Sequence, residues 1–164
     1  MAILDFNLNK DIKLNKEEIL NDFYLINKSR QLSLLGRKEV FMGRAKFGVF
    51  GDGKELPQVV MAKVFQNGDI RSGYYRDQTF MMAIDQLTSD QFFAQLYSNT
   101  DLSQEPHSAG RQMNCHFGTR MLNENGDWKT LTGIKNSTSD LSCVAGQMPR
   151  LVGLGYASKL YRNN

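Results

Sequence analysis

Residues 110–118, with the sequence GRQMNCHFG, place a cysteine beside a histidine. A cysteine and a histidine can form a nucleophile–base pair, and both side chains bind zinc. Adjacent residues of an extended segment point to opposite sides, so Cys115 and His116 are poorly placed to share a proton or a metal. Zinc ligands usually come in closely spaced pairs, and only His107 and Cys143 remain as partners. We therefore predict no metal site here, a packed Cys115, and His116 as the one candidate for chemistry.

The stretch GDGKEL at 51–56 begins with Gly-Asp-Gly, which opens the metal-and-diphosphate motif of thiamine diphosphate enzymes. That motif closes on an asparagine about thirty residues later, and such a match needs its context. This chain has no asparagine between Asn67 and Asn99. We interpret GDGKEL as a turn before a helix.

Two further stretches could hold an anion. In SGYYRDQT, Arg76 follows Tyr75 near the end of a possible strand, where a planar cation and a phenol could face a phosphate or a carboxylate. In DLSCVAGQMPRLVG, small residues before a helix would expose backbone N–H groups and a hydroxyl. Each stretch alone is equally compatible with an ordinary surface ion pair or a plain helix start.

The first element that must position these residues is a helix beginning near Asn15, a capping residue followed by two glutamates. Ile19, Phe23 and Ile26 follow at helical spacing and predict a buried face. The pattern fades near Gly36. Residues 1–14 are expected to be an extended lead-in, and 15–164 one domain.

The remaining pattern alternates helices with few strands. It predicts helices at 55–65, 79–87, 91–97 and 147–160, a short strand at 70–75, and a long polar loop at 98–114. Asn125-Gly126 indicates a hairpin turn with a strand on each side. Gly153 and Gly155 lower the helix propensity of the last helix, which suggests that another segment approaches them closely. The fold class predicted is α/β.

Composition limits the functional classes. A chain of 164 residues with 41% hydrophobic and 23% charged residues is typical of one globular domain. It contains no apolar run of about twenty residues and no secretory signal, and two cysteines fit a reduced, cytoplasmic setting. A net charge of +3 without a basic stripe does not indicate nucleic-acid binding.

Four motifs occur together in a recognisable order: GKE at 53–55, YYRDQ at 74–78, GRQM with a histidine three residues on, and GQMPRLVGLGYASK. In this order they resemble the alpha-type part of the thiamine diphosphate-dependent decarboxylase component of 2-oxoacid dehydrogenase complexes. The resemblance covers roughly residues 17–160. GRQM is more similar to the branched-chain, 2-oxoisovalerate members than to the pyruvate members.

The resemblance implies a role for individual residues. Tyr75 and Arg76 match the pair that holds the cofactor's diphosphate, and Ser142 and Val144 match positions that contact the cofactor. The positions that match the substrate pocket are Phe47, Met113 and His116. His116 would be a catalytic, polar wall facing the carboxylate of a 2-oxo acid. A potassium loop often lies at 141–147 in the family, but Leu141, Cys143 and Gly146 replace its usual residues.

The resemblance also implies a partial thiamine diphosphate-binding fold that stops before the Mg²⁺ motif, so the Mg²⁺ ligands are expected beyond residue 164. The implied partners are a beta-type domain or subunit, a lipoyl-bearing acyltransferase, and a second copy of the chain. We expect the isolated chain to be inactive. The alternative function is a non-catalytic assembly or regulatory module on the same scaffold.

Overall fold

A computed structural model describes residues 15–162, so the predicted lead-in at 1–14 lies outside the described residues. The elements in chain order are α1 Lys16–Phe41, α2 Glu55–Ala62, β1 Ile70–Arg71, α3 Gln78–Ala83, α4 Ser89–Leu96, a 3-10 turn Leu131–Gly133, β2 Asn136–Ser137 and α5 Gln147–Arg162. This helix-rich arrangement with one small sheet is compatible with the predicted α/β class. The loop predicted at 98–114 contains neither helix nor strand, as expected.

The sheet consists of two parallel strands. Ile70 of β1 lies opposite Asn136 of β2, and Arg71 lies opposite Ser137. The strand predicted at 70–75 ends at Arg71 because the chain turns immediately afterwards, and the N–H of Asp77 donates to the carbonyl of Tyr74 at 3.0 Å. The sequence pattern missed β2, since asparagine and serine rarely favour strands.

Helix α1 begins where predicted, because the side chain of Asn15 accepts a hydrogen bond from the N–H of Glu17 at 3.0 Å. The predicted buried face is wrong at two of its three residues: Ile19 and Phe23 are 45% and 64% exposed, whereas Ile26 is half-buried. The buried residues lie further along, where α2, α3 and α4 pack against α1. The helix also continues through Gly36, where an added β-carbon would lie 2.5 Å from the Phe50 ring, so packing offsets the low propensity of glycine there.

The core lies around α3 and α4. Its largest buried members are Phe80, Met81, Ile84, Phe92 and Phe117, and their removal from water is the main stabilising contribution. Helix α4 begins at a capping box, in which Thr88 and Gln91 are bonded reciprocally. Helix α3 is shorter than predicted because Asp85 adopts a left-handed φ of 61°, which ends it.

Two predictions in the second half of the chain need correction. Residues Asn125-Gly126 form a turn, but only a single bridge, Leu122 to Trp128, flanks it in place of two strands. Helix α5 forms as predicted, yet within residues 15–162 nothing lies within 4 Å of a β-carbon added at Gly153 or Gly155. No described segment of the chain therefore makes the close approach predicted there.

None of the helices between residues 15 and 162 combines the length and the apolar character that a membrane crossing requires.

Candidate functional site

Most of the predicted site residues surround one cleft of about 380 Å³. Four separate segments of the chain form its walls. The predicted residues that line it are Phe47, Tyr75, Arg76, Met113, His116 and Ser142. Val144 does not line this cleft, and its side chain is 77% exposed. The structure thus places six of the seven side chains around one space, while their roles stay predictions.

Tyr75 and Arg76 are presented by the tight turn between β1 and α3. The carboxylate of Asp77 accepts a hydrogen bond from the N–H of Tyr74 at 2.9 Å and fixes this turn. The carbonyl of Arg76 accepts from the side-chain amide of Gln58 at 2.8 Å. A β-carbon added at Gly51 would lie 2.6 Å from that same carbonyl oxygen. The Arg76 backbone therefore lies between α2 and the GDG turn.

The GDGKEL stretch is a turn before a helix, as interpreted. Gly53 has a φ of 92°, which favours glycine, and α2 begins at Glu55. The carboxylate of Asp52 is paired with Arg37 at 2.6 Å, on the exposed side of the turn. This stretch supports the cleft through the close contact of Gly51 with the backbone of Arg76.

The side chain of Arg76 is exposed and carries an unneutralised charge. Its guanidinium lies 5.4 Å from the centroid of the Tyr75 ring, and within residues 15–162 no carboxylate forms an ion pair with it. The hydroxyls of Tyr74 and Tyr75 are 2.5 Å apart, and this hydrogen bond raises the pKa of Tyr74. No acidic residue lines the cleft. The site therefore favours an anionic ligand.

The charge next to the cleft is also positive. A neighbouring cleft of about 410 Å³ shares Phe47 and Met113 with the first one. Its lining includes three cations, Arg44, Lys46 and Arg111, and no acidic residue. Arg44 pairs with Glu39, so this neighbouring surface attracts anions chiefly through Lys46 and Arg111.

The segment 113–118 is held by side-chain amides. Asn114 accepts from the N–H of Val49 at 2.8 Å and donates to the Val49 carbonyl at 2.7 Å. Gln95 accepts from the N–H of Cys115 and donates to the carbonyl of His116, both at 2.6 Å. These bonds maintain Cys115 at a φ of 60°, which a non-glycine residue rarely adopts. Sequence reasoning missed Gln95 and Asn114, because long-range amide contacts leave no local pattern.

Cys115 is completely buried, and burial raises the pKa of its thiol well above the ordinary range. A thiol of this kind is not a nucleophile at neutral pH. The predicted packed role of Cys115 is confirmed.

His116 is 1% exposed and has a partner for each ring nitrogen. Its Nδ1 lies 3.1 Å from the carbonyl oxygen of Asn114, and its Nε2 lies 2.7 Å from Oγ of Ser142. The ring stacks on Tyr75 with centroids 6.0 Å apart. His116 and Cys115 do not form a pair, and the nearest hydroxyl partner of the histidine comes from residue 142.

A buried ion pair anchors the segment that carries Ser142. The guanidinium of Arg71 in β1 donates to the carboxylate of Asp140 at 2.7 Å, and the N–H of Phe117 donates to the same oxygen at 3.0 Å. Desolvation raises the pKa of Asp140, and the attraction of Arg71 opposes this effect without cancelling it. The pair joins β1, the His116 segment and the turn before α5. Apart from a charge inside a predicted strand, no sequence pattern indicates this pair.

No group of three or more histidine, cysteine or acidic side chains suited to a metal occurs within residues 15–162. The second histidine, His107, lies away from this cleft and is partly buried. Its Nε2 is 2.9 Å from the carbonyl oxygen of Gln86. Burial lowers its pKa.

The family described as Dehydrogenase E1 component matches residues 30–150, which is most of the chain. The chain therefore belongs to the dehydrogenase E1 component family, and the resemblance to its alpha-type part is confirmed. Similar relatives are the mitochondrial 2-oxoisovalerate dehydrogenase alpha subunits of Homo sapiens, Pan troglodytes and Macaca fascicularis. Each is 27% identical over 154 residues, which are 93% of this chain and 30% of the relative.

Proposed function

We propose that this chain forms the diphosphate-binding and substrate-contacting wall of a thiamine diphosphate-dependent component that decarboxylates a 2-oxo acid and passes the acyl group to a lipoyl carrier. The observation that carries this proposal is the convergence of Phe47, Arg76, Met113, His116 and Ser142 on one cleft. These residues come from four segments that are distant in sequence. Membership of the dehydrogenase E1 component family supports the same function.

The side chains at the cleft fit the diphosphate end of the cofactor. Arg76 offers a planar guanidinium without a carboxylate partner among the described residues, and an anion with several oxygens is its natural ligand. The cleft has no acidic lining that would repel the diphosphate. When bound, thiamine diphosphate supplies a positively charged ring that accepts the electron pair left by departing carbon dioxide.

At the proposed substrate end, the lining of the cleft combines apolar and polar side chains. Phe47, Val49 and Met113 give the cleft apolar walls, which suits an aliphatic side chain on the 2-oxo acid. His116 adds a polar group beneath them. The apolar walls and the naming of the relatives support a branched-chain, 2-oxoisovalerate type of substrate.

The side chains that line the cleft include no carboxylate or side-chain amide that would hold Mg²⁺. Within residues 15–162 the one unpaired cation directed to the cleft is Arg76, so this residue carries the diphosphate contact.

The partners and the compartment are also part of the proposal. A beta-type domain or subunit would complete the site, and a lipoyl-bearing acyltransferase would accept the product. Both cysteines are free thiols, which supports a reducing compartment such as the cytoplasm.

A second candidate function is an assembly or regulatory module on the same scaffold. The observation that favours it is the large apolar surface left on α5 and on the first turns of α1. The exposed side chains include Phe23, Tyr24, Val152, Tyr156 and Tyr161. This function would require no saturable cofactor binding.

Calorimetric titration of the native full-length protein with thiamine diphosphate in the presence of Mg²⁺ separates the two candidates. We expect saturable binding that Arg76→Gln weakens by about 1.5–3 kcal/mol, the usual range for one charge-assisted contact. Arg120→Gln is the matched control, since Arg120 is exposed and does not line the cleft. Absence of saturable binding by the unaltered protein would leave only the assembly function. Equal affinity of the Arg76→Gln protein would remove Arg76 from the diphosphate site.

A further inference from the structure

The imidazole of His116 is fixed from both sides. The Asn114 carbonyl oxygen faces Nδ1 at 3.1 Å, and the Ser142 hydroxyl oxygen faces Nε2 at 2.7 Å. The ring is buried and stacked on Tyr75, so it cannot turn over without displacing its neighbours. The two hydrogen-bond partners therefore determine which nitrogen carries the proton of the neutral ring.

A carbonyl oxygen can only accept a hydrogen bond. If Nδ1 were unprotonated, its lone pair would face the lone pairs of the Asn114 oxygen in a buried place, which is unfavourable. Nδ1 therefore carries the proton and donates to Asn114. In the neutral ring, Nε2 is then an acceptor, and the one hydrogen-bond partner that residues 15–162 offer it is the hydroxyl of Ser142.

We propose that Ser142 is a positioning residue: its hydroxyl donates to Nε2 of His116, holds the imidazole as the Nδ1–H tautomer, and leaves the Ser142 oxygen as a hydrogen-bond acceptor towards the cleft. Ser142 is exposed and lines the cleft, whereas His116 beneath it is almost fully buried. The polar group that this pair presents to a ligand is thus the serine oxygen, backed by the histidine.

This assignment changes the chemistry expected of Ser142. Because its single proton is directed to His116, the hydroxyl does not donate to a phosphate or to a carboxylate while His116 is neutral. The free lone pairs of Oγ accept instead, so the ligand atom that fits there is a donor such as an amino group. The anionic part of a ligand belongs on the Arg76 side of the cleft, where the exposed cation lies.

The surrounding contacts make this hydrogen bond well ordered. Gln95 donates to the carbonyl of His116, and the Arg71–Asp140 ion pair holds the chain two residues before Ser142. Both His116 and Ser142 thus lie in segments that buried hydrogen bonds or ion pairs hold in place. The role of the Ser142–His116 pair in the reaction rests on the proposed function, whereas the hydrogen bond and the tautomer do not.

Nuclear magnetic resonance tests the hydrogen bond directly, because the chain has only two histidines. In the ¹⁵N-histidine-labelled chain, long-range proton–nitrogen correlations assign the tautomer of each ring. We expect the Nδ1–H form for His116. We expect the Nε2–H form for His107, because its Nε2 faces the Gln86 carbonyl oxygen at 2.9 Å. Its Nδ1 lies 3.3 Å from the more distant Gly118 carbonyl oxygen and accepts from the N–H of Gly118 at 3.4 Å, so this ring is an internal control of opposite tautomer. His107→Gln assigns the two sets of resonances.

Three variants test whether Ser142 is the hydrogen-bond partner of His116. Ser142→Ala removes the hydroxyl, and the Nε2 resonance of His116 should shift to higher frequency while the His107 resonances stay unchanged. Ser142→Thr keeps the hydroxyl, its extra methyl has room because Ser142 is exposed, and it should restore the original Nε2 position. Cys143→Ala, in the same exposed turn, should leave His116 unaffected.

An Nε2–H tautomer of His116, or an Nε2 resonance that does not respond to Ser142→Ala, would overturn the proposal. Kinetics of the full-length enzyme give the second measurement. There Ser142→Ala should lower kcat about tenfold or more, measured with the cofactor saturating, and Ser142→Thr should recover most of it. A cofactor titration without binding would reject the proposed function alone, since the tautomer measurement is independent of it. A normal kcat in Ser142→Ala, with cofactor bound, would reject the positioning role.

Discussion

The carbonyl oxygen of Arg76 lies against Gly51, where an added β-carbon would be only 2.6 Å away. The contact is with backbone and not with the end of a flexible side chain, so it cannot be relieved by a small rotation. Gly51→Ala should therefore displace the Tyr75–Arg76 turn and lower the free energy of unfolding by about 1–3 kcal/mol.

Urea denaturation measures this change, and thiamine diphosphate titration of the full-length protein should show weaker binding in the same variant. Gly133→Ala is the control, because its β-carbon would enter open space. An unchanged denaturation midpoint for Gly51→Ala would mean that the GDG turn does not support Arg76.

The two thiols should differ in reactivity. Cys143 is exposed, whereas Cys115 is buried with a raised thiol pKa, so a disulfide reagent should modify one thiol per folded chain quickly. The second thiol should react only on unfolding in denaturant. Cys143→Ser should abolish the fast reaction. Two fast thiols in the folded protein would contradict the packed role of Cys115.

Glu105 should make the long loop sensitive to acid. Its buried carboxylate accepts hydrogen bonds from the N–H groups of His107, Ser108 and Gly110 and from the Ser108 hydroxyl, at 2.6–3.0 Å. Desolvation raises the pKa of Glu105, but these bonds, led by the Ser108 hydroxyl, outweigh it and hold the pKa below its usual value. A lowered folded-state pKa means that the stabilisation is fully present above the unfolded-state pKa, about 4.3, and is lost as the pH falls through the folded value.

Glu105→Gln should lower the free energy of unfolding at pH 7 by about 1.5–3 kcal/mol and remove this part of the acid dependence. Denaturation curves between pH 7 and pH 3 measure both effects against Glu124→Gln, an exposed control. Parallel pH dependences of the Glu105→Gln and unaltered proteins would refute this assignment.

The exposed face of α5 should cause self-association. Val152 and Tyr156 are 74% and 64% exposed and lie one helical turn apart, and α5 contains no acidic residue that would interrupt this apolar surface. Replacing both by lysine should shift the chain towards monomer in sedimentation velocity. Asn125→Lys with Gln104→Lys adds the same charge at exposed loop positions and should leave the association state unchanged. A monomer already in the unaltered chain would contradict the proposed homo-oligomer.

Local sequence signals predicted the parts of the fold that depend on local chemistry. The cap at Asn15 and the start of α2 at Glu55 depend on residues within one or two helical turns, and both appear in the structure. The burial of Ile19 and Phe23 was wrong, because helical periodicity identifies an apolar face but not the segment that covers it.

The candidate site likewise has residues that the sequence predicted and supporting contacts that it did not. The family resemblance, carried by the ordered motifs, named six of the side chains that line the cleft. The motifs did not predict Gln95, Asn114 or the Arg71–Asp140 pair, which hold those side chains from elsewhere in the chain. Such contacts depend on the three-dimensional path of the backbone, and a single sequence without pairing information does not encode them in any short pattern.

The single pairing of β1 with β2 also has a consequence for the order of folding. Residue 70 pairs with residue 136, and α3 and α4 lie between them in the chain. Forming this pair therefore costs the entropy of closing a long stretch of chain, a cost that helix formation does not have. Contacts of this kind slow folding, and the helices around α3 should form before the chain closes. Ser142 reaches His116 only after that closure, because it follows β2 and the Arg71–Asp140 pair. A ligand that contacts both Arg76 and Ser142 would therefore bind only after β1 and β2 have paired. Its binding would stabilise this late-forming pairing.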